Sequence, residues 1–349
     1  MSGGIDSTMA ALLLKEQGYH ISGLTMLNWD TGAAQAAAQT ARYLGIAHEV
    51  VDLQEVFYHQ VIEYFYRSYE QGLTPNPCVE CNRHIKFGAL LDYALEKGFD
   101  QVATGHYARI EWDKNRNRCL LKKGVDPRKD QSYFLYGLKQ EQLKRSLFPL
   151  GELKKQEVVA MARDLGVQGI DKGESQEICF IKEDYRDFIK DQVEYQPGDV
   201  VDPGGRVLGR HRGLPFYTIG QRRGLGISAG RPIYVLDLDT RTNRLLVGEE
   251  RYLYQDLVLI GQNNLIYLDD IQQPITVEAK IRYAHAAAPA GLERVGGEND
   301  RLRLVFGQGQ RAITPGQSAV FYKGDYVLGG GIILATANRG ADIPTVPSV

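Results

Sequence analysis

Cysteine is scarce in this chain. Four thiols, Cys78, Cys81, Cys119 and Cys179, serve 349 residues, too few for a disulfide framework. A reducing, cytoplasmic setting is therefore expected, in which each thiol is reactive, metal-binding or merely buried. Long apolar runs are lacking too: nothing approaches the roughly 20 residues of a membrane helix, and no signal-peptide pattern is read. There is no internal repeat, and no low-complexity tract beyond an alanine-rich stretch at 33–44. Charge of one sign is missing overall, since Lys+Arg 41 meets Asp+Glu 43 for a net of −2, which gives no global argument for nucleic acid. The 43% hydrophobic content suffices for ordinary cores in two or three domains.

What the chain does carry begins at once. Ser2, Gly3, Gly4, Ile5, Asp6 and Ser7 form a glycine turn that leads into an apolar-periodic stretch at 8–17, closed by Gly18. Backbone N–H groups at such a helix start bind anions. The loop differs from the GxxxxGK[ST] pattern of kinases and GTPases in having no lysine, and we read it as a pyrophosphate cradle for ATP cleaved between its alpha and beta phosphates. Loops of this kind are fed by a buried strand. None is read before Met1, so the expectation is either a true start upstream of Met1 or a loop without its first supporting strand.

Beyond the loop, strand-like segments at 21–27, 48–53 and 100–104 alternate with helical patterns at 33–44, 55–71 and 82–97. That order predicts an α/β fold with a parallel sheet, whose ligands lie at the carboxyl ends of the strands, where Gly105, His106 and Tyr107 fall. After a helix at 156–165 the pattern turns β-rich from about residue 196, with short alternating segments at 232–238, 245–247, 275–281 and 319–322. Two small modules divided near 261–270 are expected. Basic residues cluster in two places: seven between Lys114 and Lys129, and six arginines with no acid between Arg206 and Arg231. Such runs are compatible with a phosphate-rich polymer or with a solvated face.

The second constellation is Thr74-Pro75-Asn76-Pro77-Cys78-Val79-Glu80-Cys81-Asn82. Two prolines ahead of a helix place Cys81 in its first turn, where the dipole is expected to lower the thiol pKa and make a nucleophile. Zinc with His84 as a third ligand lacks the usual fourth. A thioredoxin-type pair, or an iron–sulfur cluster on Cys78, Cys81 and Cys179, stays open though not favoured. Cys179 lies between Ile178 and Phe180, which suits a core position, but its charged lead-in at 171–177 argues for a mobile segment. Cys119, in a strand-like stretch, is assigned to packing.

Together with Lys129-Asp130-Gln131-Ser132-Tyr133-Phe134-Leu135, the glycine-rich stretch at 220–226 and Thr314-Pro315-Gly316-Gln317-Ser318, these motifs closely resemble the tRNA-specific 2-thiouridylases, in one order from the first residue to about 333. The resemblance implies a PP-loop ATP-pyrophosphatase domain (1–190, adenine nucleotide alpha hydrolase-like), a small central β-rich domain (196–262) and a C-terminal β-barrel (268–340). It also implies a tRNA-uridine 2-sulfurtransferase that uses ATP and Mg2+ on the wobble uridine of tRNAs for lysine, glutamate and glutamine.

By the same resemblance Cys81 is the nucleophile, Cys179 carries the persulfide, and a transient Cys81–Cys179 disulfide follows. Residues 2–7, Met26 and Gly105 meet the nucleotide. Asn76, Pro77, Cys78, His106, Lys129, Asp130, Gln131, Arg282, Tyr283 and Gln317 meet tRNA, which needs its target base flipped out. For Asp130, a carboxylate satisfied within its own loop is an equal reading. The implied partners are tRNA and a sulfur-relay protein or cysteine desulfurase, with no membrane and a monomeric chain.

Three departures stand out: Cys78 where some relatives carry aspartate, a short loop at Asp30-Thr31-Gly32, and the absent first strand. Two rival readings remain. A PP-loop ligase that couples amino acids needs neither Cys81 nor Cys179, whereas a tRNA-binding protein without catalysis binds tRNA and turns over no ATP.

Overall fold

The computed structural model describes residues 1–28, 33–167, 178–181, 183–227, 230–296 and 301–339; the expectations for Asp30, Thr31 and Gly32 and for 171–177 lie outside them. Helix Ile5–Glu16 rises directly from the glycine turn. Strands β1 (Ser22–Leu27) and β2 (Ala47–Asp52) then flank helix Ala33–Leu44 and pair in parallel, from Ser22 opposite Ala47 to Leu27 opposite Asp52. A parallel pair requires a crossover, and the alanine-rich helix supplies it. Farther along lie β3 (Val102–Ala103), β4 (Ala108–Asp113), β5 (Arg118–Lys123) and β6 (Ser146–Leu147), with β3 parallel to β6. Among the described residues the expected parallel sheet is thus divided into two parallel pairs. The stretch before the loop is Met1, whose amine donates to Leu24 O and whose carbonyl accepts from Thr25 Oγ1 at 2.8 Å.

The two long helices expected at 55–71 and 82–97 each contain a widened turn. Residues 54–70 include the π segment Tyr58–Ile62, and residues 77–96 include Cys81–Ala89, which bends at Gly88 (φ −111°, ψ −107°). Widened turns shift the helical face and recur at functional sites. The second helix also starts earlier than the periodicity predicts: Pro77 occupies its first turn and Asn76 stands at the N-cap position without a side-chain capping bond. Proline there forfeits no hydrogen bond and brings a helical φ.

Strands β7 (Gly198–Val201), β8 (Val207–His211), β9 (Tyr234–Asp239) and β10 (Arg244–Gly248) form a sheet in the order β8-β7-β10-β9. Its inward Val200, Val235, Leu245 and Val247 share one apolar core with Phe57, Phe65 and Phe180 from the first part of the chain.

The last six strands are β11 (Tyr254–Leu265), β12 (Ile275–Lys280), β13 (Ala288–Arg294), β14 (Leu302–Arg311), β15 (Ser318–Lys323) and β16 (Tyr326–Ala337). They run β11-β14-β13-β12-β15-β16, and β16 pairs back onto β11, so the sheet closes as a barrel without free edges. Ile260, Leu292, Leu304 and Phe321 fill its interior. Two boundaries differ from expectation. β11 pairs only within the barrel, which therefore begins near Tyr254 rather than after residue 262. The β4–β5 hairpin, expected to lie wholly in the first domain, joins the barrel sheet where Lys122 meets Tyr326, because Leu121, Tyr133 and Tyr322 bury one another there.

Candidate active site

The loop is built by side chains that fold back on it. Gly4 O accepts the N–H of Thr8 at 3.1 Å and the hydroxyls of Ser7 and Thr8 at 3.0 Å each, while Ser2 Oγ lies 3.2 Å from Ser7 Oγ. First-turn N–H groups have no intrahelical acceptor, which makes this helix start a donor cluster for an anion. Gly3 takes φ +73°, and a Cβ there would stand 2.7 Å from the backbone of Ala36, so the turn is pressed against the second helix.

Gly105 is the loop's partner across the fold: a Cβ on it would lie 2.8 Å from the Asp6 carbonyl carbon. Asp6 faces inward with it. Its Oδ1 accepts Tyr107 OH at 2.8 Å and the Lys155 ammonium at 2.7 Å. Asp6 and Gly105 border a cavity of about 740 Å3 between the two parallel strand pairs, to which β1 contributes Leu24 and Met26 and β3 contributes Val102 and Ala103, while Tyr107 and Lys155 stand behind Asp6. Ser2, Ser7, His106 and Gln131 also line it. Open α/β sheets bind ligands in crevices of this kind.

The thiols follow a different physics from the one expected. Cys81 is the fifth residue of its helix rather than in the first turn, and only 7% exposed. Burial raises its pKa to about 12; the Lys86 ammonium opposes the rise, and the nearby Cys179 and Cys78 thiols add to it. Because the helix dipole fades within one turn, burial wins. Cys78, in the first turn, is also raised by burial, with Lys86 opposing. Cys179 is exposed, and neither Cys78 nor Cys81 is in a disulfide. The fold thus gathers Cys78, Cys81 and Cys179 within electrostatic reach of one another. Cys119 is buried on β5, as packing predicts. Lys86 also lines the cavity, which links the thiols to the loop.

Three family models match in chain order: tRNA methyl transferase HUP domain over residues 1–183, tRNA methyl transferase PRC-barrel domain over 186–249 and Aminomethyltransferase beta-barrel domain over 255–333. The tRNA-specific 2-thiouridylase MnmA of Syntrophomonas wolfei is 56% identical over 333 residues, spanning 95% of this chain and 98% of that protein. The chain belongs to the tRNA-specific 2-thiouridylase family. Other members include MnmA 1 of Caldanaerobacter subterraneus, 48% identical, and MnmA of Carboxydothermus hydrogenoformans, 45% identical, each matched over 95% of this chain and 96% of its own length.

In this member of the 2-thiouridylase family, several residues expected to meet tRNA make hydrogen bonds within the fold. Asp130 is buried: its Oδ1 accepts the N–H groups of Gly124 and Ser132 at 3.0 and 3.1 Å, and its Oδ2 accepts the Ser132 hydroxyl at 3.0 Å. These bonds close the loop that carries it. Gln317 donates to Thr74 O and Pro75 O at 3.0 Å each and clamps the proline segment to the barrel. Arg282 donates to Ile219 O, Ala312 O and Thr314 Oγ1, tying the central sheet to the barrel. Gln131 Oε1 accepts the Tyr107 N–H at 3.0 Å.

His106 is buried against Phe87 and Phe148, with its Nδ1 2.7 Å from Thr104 Oγ1, and burial holds its pKa well below the usual value, so the ring is neutral. Asn76 and Pro77 are buried at the helix start, and Lys129 is half-buried. Tyr283 is exposed, its ring 4.5 Å from that of Phe134, with Lys280 over its face. The basic runs are partly consumed internally as well: Arg118 pairs with Asp269 at 2.5 Å, Lys122 with Glu111 and Arg231 with Glu249.

Sequence reasoning missed Lys86, Lys155 and the role of Tyr107. Lys155 follows Asp6 by 149 residues, and no local pattern announces that contact.

Proposed function

We propose that this chain is a tRNA-uridine 2-sulfurtransferase that activates O2 of the wobble uridine in tRNAs for lysine, glutamate and glutamine with ATP and replaces it with sulfur. Similarity to 2-thiouridylases along almost the whole chain supports the reaction. The observation that carries the mechanism is the gathering of Cys81 and Cys179 near Lys86, which lines the same cavity as Ser2, Asp6, Ser7 and Gly105.

ATP occupies that cavity with its phosphates on the loop. The uracil O2 attacks the alpha phosphorus, pyrophosphate leaves, and the O2–adenylate makes C2 electrophilic. Asp6, which stands at the start of the first helix on the cavity wall, is the carboxylate that would hold a magnesium ion carried by the nucleotide. When bound, that ion neutralises phosphate charge.

Sulfur arrives as a persulfide on Cys179, whose exposure lets a relay protein or cysteine desulfurase load it. Cys81, as thiolate, attacks the Cys179 sulfur; the S–S bond of the persulfide breaks, Cys81–Cys179 forms and hydrosulfide leaves. Hydrosulfide adds at C2 and AMP departs with the oxygen. A dithiol then supplies the two electrons and two protons that reopen the disulfide. The Cys81 proton must leave first, a step that Lys86 favours and burial opposes. The monomeric chain works in the cytoplasm, with the neutral His106 and the clamped 74–77 segment framing the flipped base.

Mass spectrometry after a single turnover without reductant tests this sequence. One Cys81–Cys179 disulfide should appear for each 2-thiouridine. Product formed with both thiols still open to alkylation would overturn the scheme.

A further inference from the structure

The loop at residues 2–7 holds hydroxyls and backbone donors but no cation. In lysine-bearing phosphate loops an ammonium within the motif reaches the terminal phosphates. Here, among the described residues, the ammonium that reaches the loop comes from Lys155, at the start of helix Lys155–Asp164.

Its position is built rather than incidental. Met9 and Ala10 of the first helix pack with Val158 and Ala162 of this helix in one buried cluster, which fixes the two helices side by side. The Lys155 N–H donates to Asp126 Oδ2 at 3.0 Å, and Val125 N–H donates to Gly151 O at 2.9 Å, so the turn before the helix is pinned to the segment that carries Lys129 and Gln131. The side chain is 12% exposed, runs beside the Tyr107 ring and ends 2.7 Å from Asp6 Oδ1.

We propose that Lys155 is the phosphate-gripping cation that the loop itself lacks: Asp6 holds its ammonium at the loop, and the ammonium turns to the beta and gamma phosphates when nucleotide enters and stays on pyrophosphate as it leaves. This rests on the reading of residues 2–7 as the ATP loop. A pyrophosphate leaving group carries several negative charges in a half-enclosed site, where a preplaced ammonium stabilises the separating charge more than it does in water. Asp6 gains the same freedom. Once the lysine moves to phosphate, the carboxylate is released to a cation carried by the nucleotide.

The test compares Lys155→Met, which keeps the apolar stem, with Lys155→Arg in the full chain, using ATP and tRNA. Pyrophosphate release, ATP KM, tRNA affinity and melting temperature are measured together. The methionine variant should lose on the order of a hundredfold in tRNA-dependent pyrophosphate release. Its ATP KM should rise, and its tRNA affinity and melting temperature should stay near those of the unaltered chain. The arginine variant should regain a measurable part of the rate. Turnover of the methionine variant within about twofold of the unaltered chain overturns the proposal. So does an equal loss in both variants with matching losses of tRNA affinity and melting temperature, since that is what a structural ion pair does. An unaltered chain that binds tRNA yet releases no pyrophosphate refutes the ATP reading beneath it, a separate and recognisable failure.

Discussion

In the resting chain Cys81 is predicted to be one of its least reactive thiols, although it is the proposed nucleophile. Burial lifts its pKa from 9.0 to about 12. That difference corresponds to about 4 kcal/mol against the thiolate. At pH 8 an ordinary thiol of this kind is about one-tenth ionised, and Cys81 about one part in ten thousand, so ionisation alone slows alkylation roughly a thousandfold. Iodoacetamide pulses between pH 7 and pH 10.5, followed by peptide mass spectrometry, separate the exposed Cys179 from Cys81. Cys179 should be modified first at every pH, and the Cys81 rate should climb about tenfold per pH unit with no plateau in that range. Thermodynamic linkage adds a second signature. Below about pH 9 the group is neutral in both states; between about 9 and 12 the unfolded chain sheds the proton and the folded one keeps it, so stability falls through that window. An inflection in the Cys81 rate at or below pH 9, or alkylation at pH 8 as fast as at Cys179, would refute burial as the controlling influence.

Two further substitutions probe the frame around the cavity. Gly105→Ala places a methyl 2.8 Å from the Asp6 carbonyl carbon, which must push the start of the first helix aside. AMP formation should fall on the order of a hundredfold, with stability lowered by about 1–3 kcal/mol in urea titration; unchanged turnover would contradict the close approach. Asp130→Ala strips the acceptor from the N–H groups of Gly124 and Ser132 and from the Ser132 hydroxyl. It should cost roughly 2–4 kcal/mol of stability, and a loss below about 0.5 kcal/mol would return Asp130 to the role of a surface contact.

The parts of this molecule that could be read from sequence are those whose chemistry is local. The glycine turn at 2–7 needs only its neighbours to become a donor cluster. The strand–helix alternation to Thr104 follows from period alone, and the alternating segments read at 275–281 and 319–322 coincide with barrel strands β12 and β15. Where tertiary packing outweighs local preference, reading failed. Helix position predicts a lowered Cys81 pKa, yet the helix begins at Pro77, ahead of the expected start at residue 82, and the thiol is buried, so desolvation sets the sign. Lys155 and Asp6 meet only because two helices share the core of Met9, Ala10, Val158 and Ala162. Gln317 and Arg282 carry polar character suited to RNA, and the fold directs Gln317 to the carbonyls of Thr74 and Pro75 and one Arg282 nitrogen to Ile219 O of the central module. Sequence shows that a side chain can donate; only the fold shows to what.

The most direct test is nucleoside mass spectrometry of tRNA from a host that lacks its own 2-thiouridylase, complemented with the intact chain or with Cys179→Ala. The intact chain should restore 2-thiouridine, and the alanine variant should leave it absent. Failure of the intact chain to restore the nucleoside while it still binds tRNA, or full restoration by Cys179→Ala, would contradict the account.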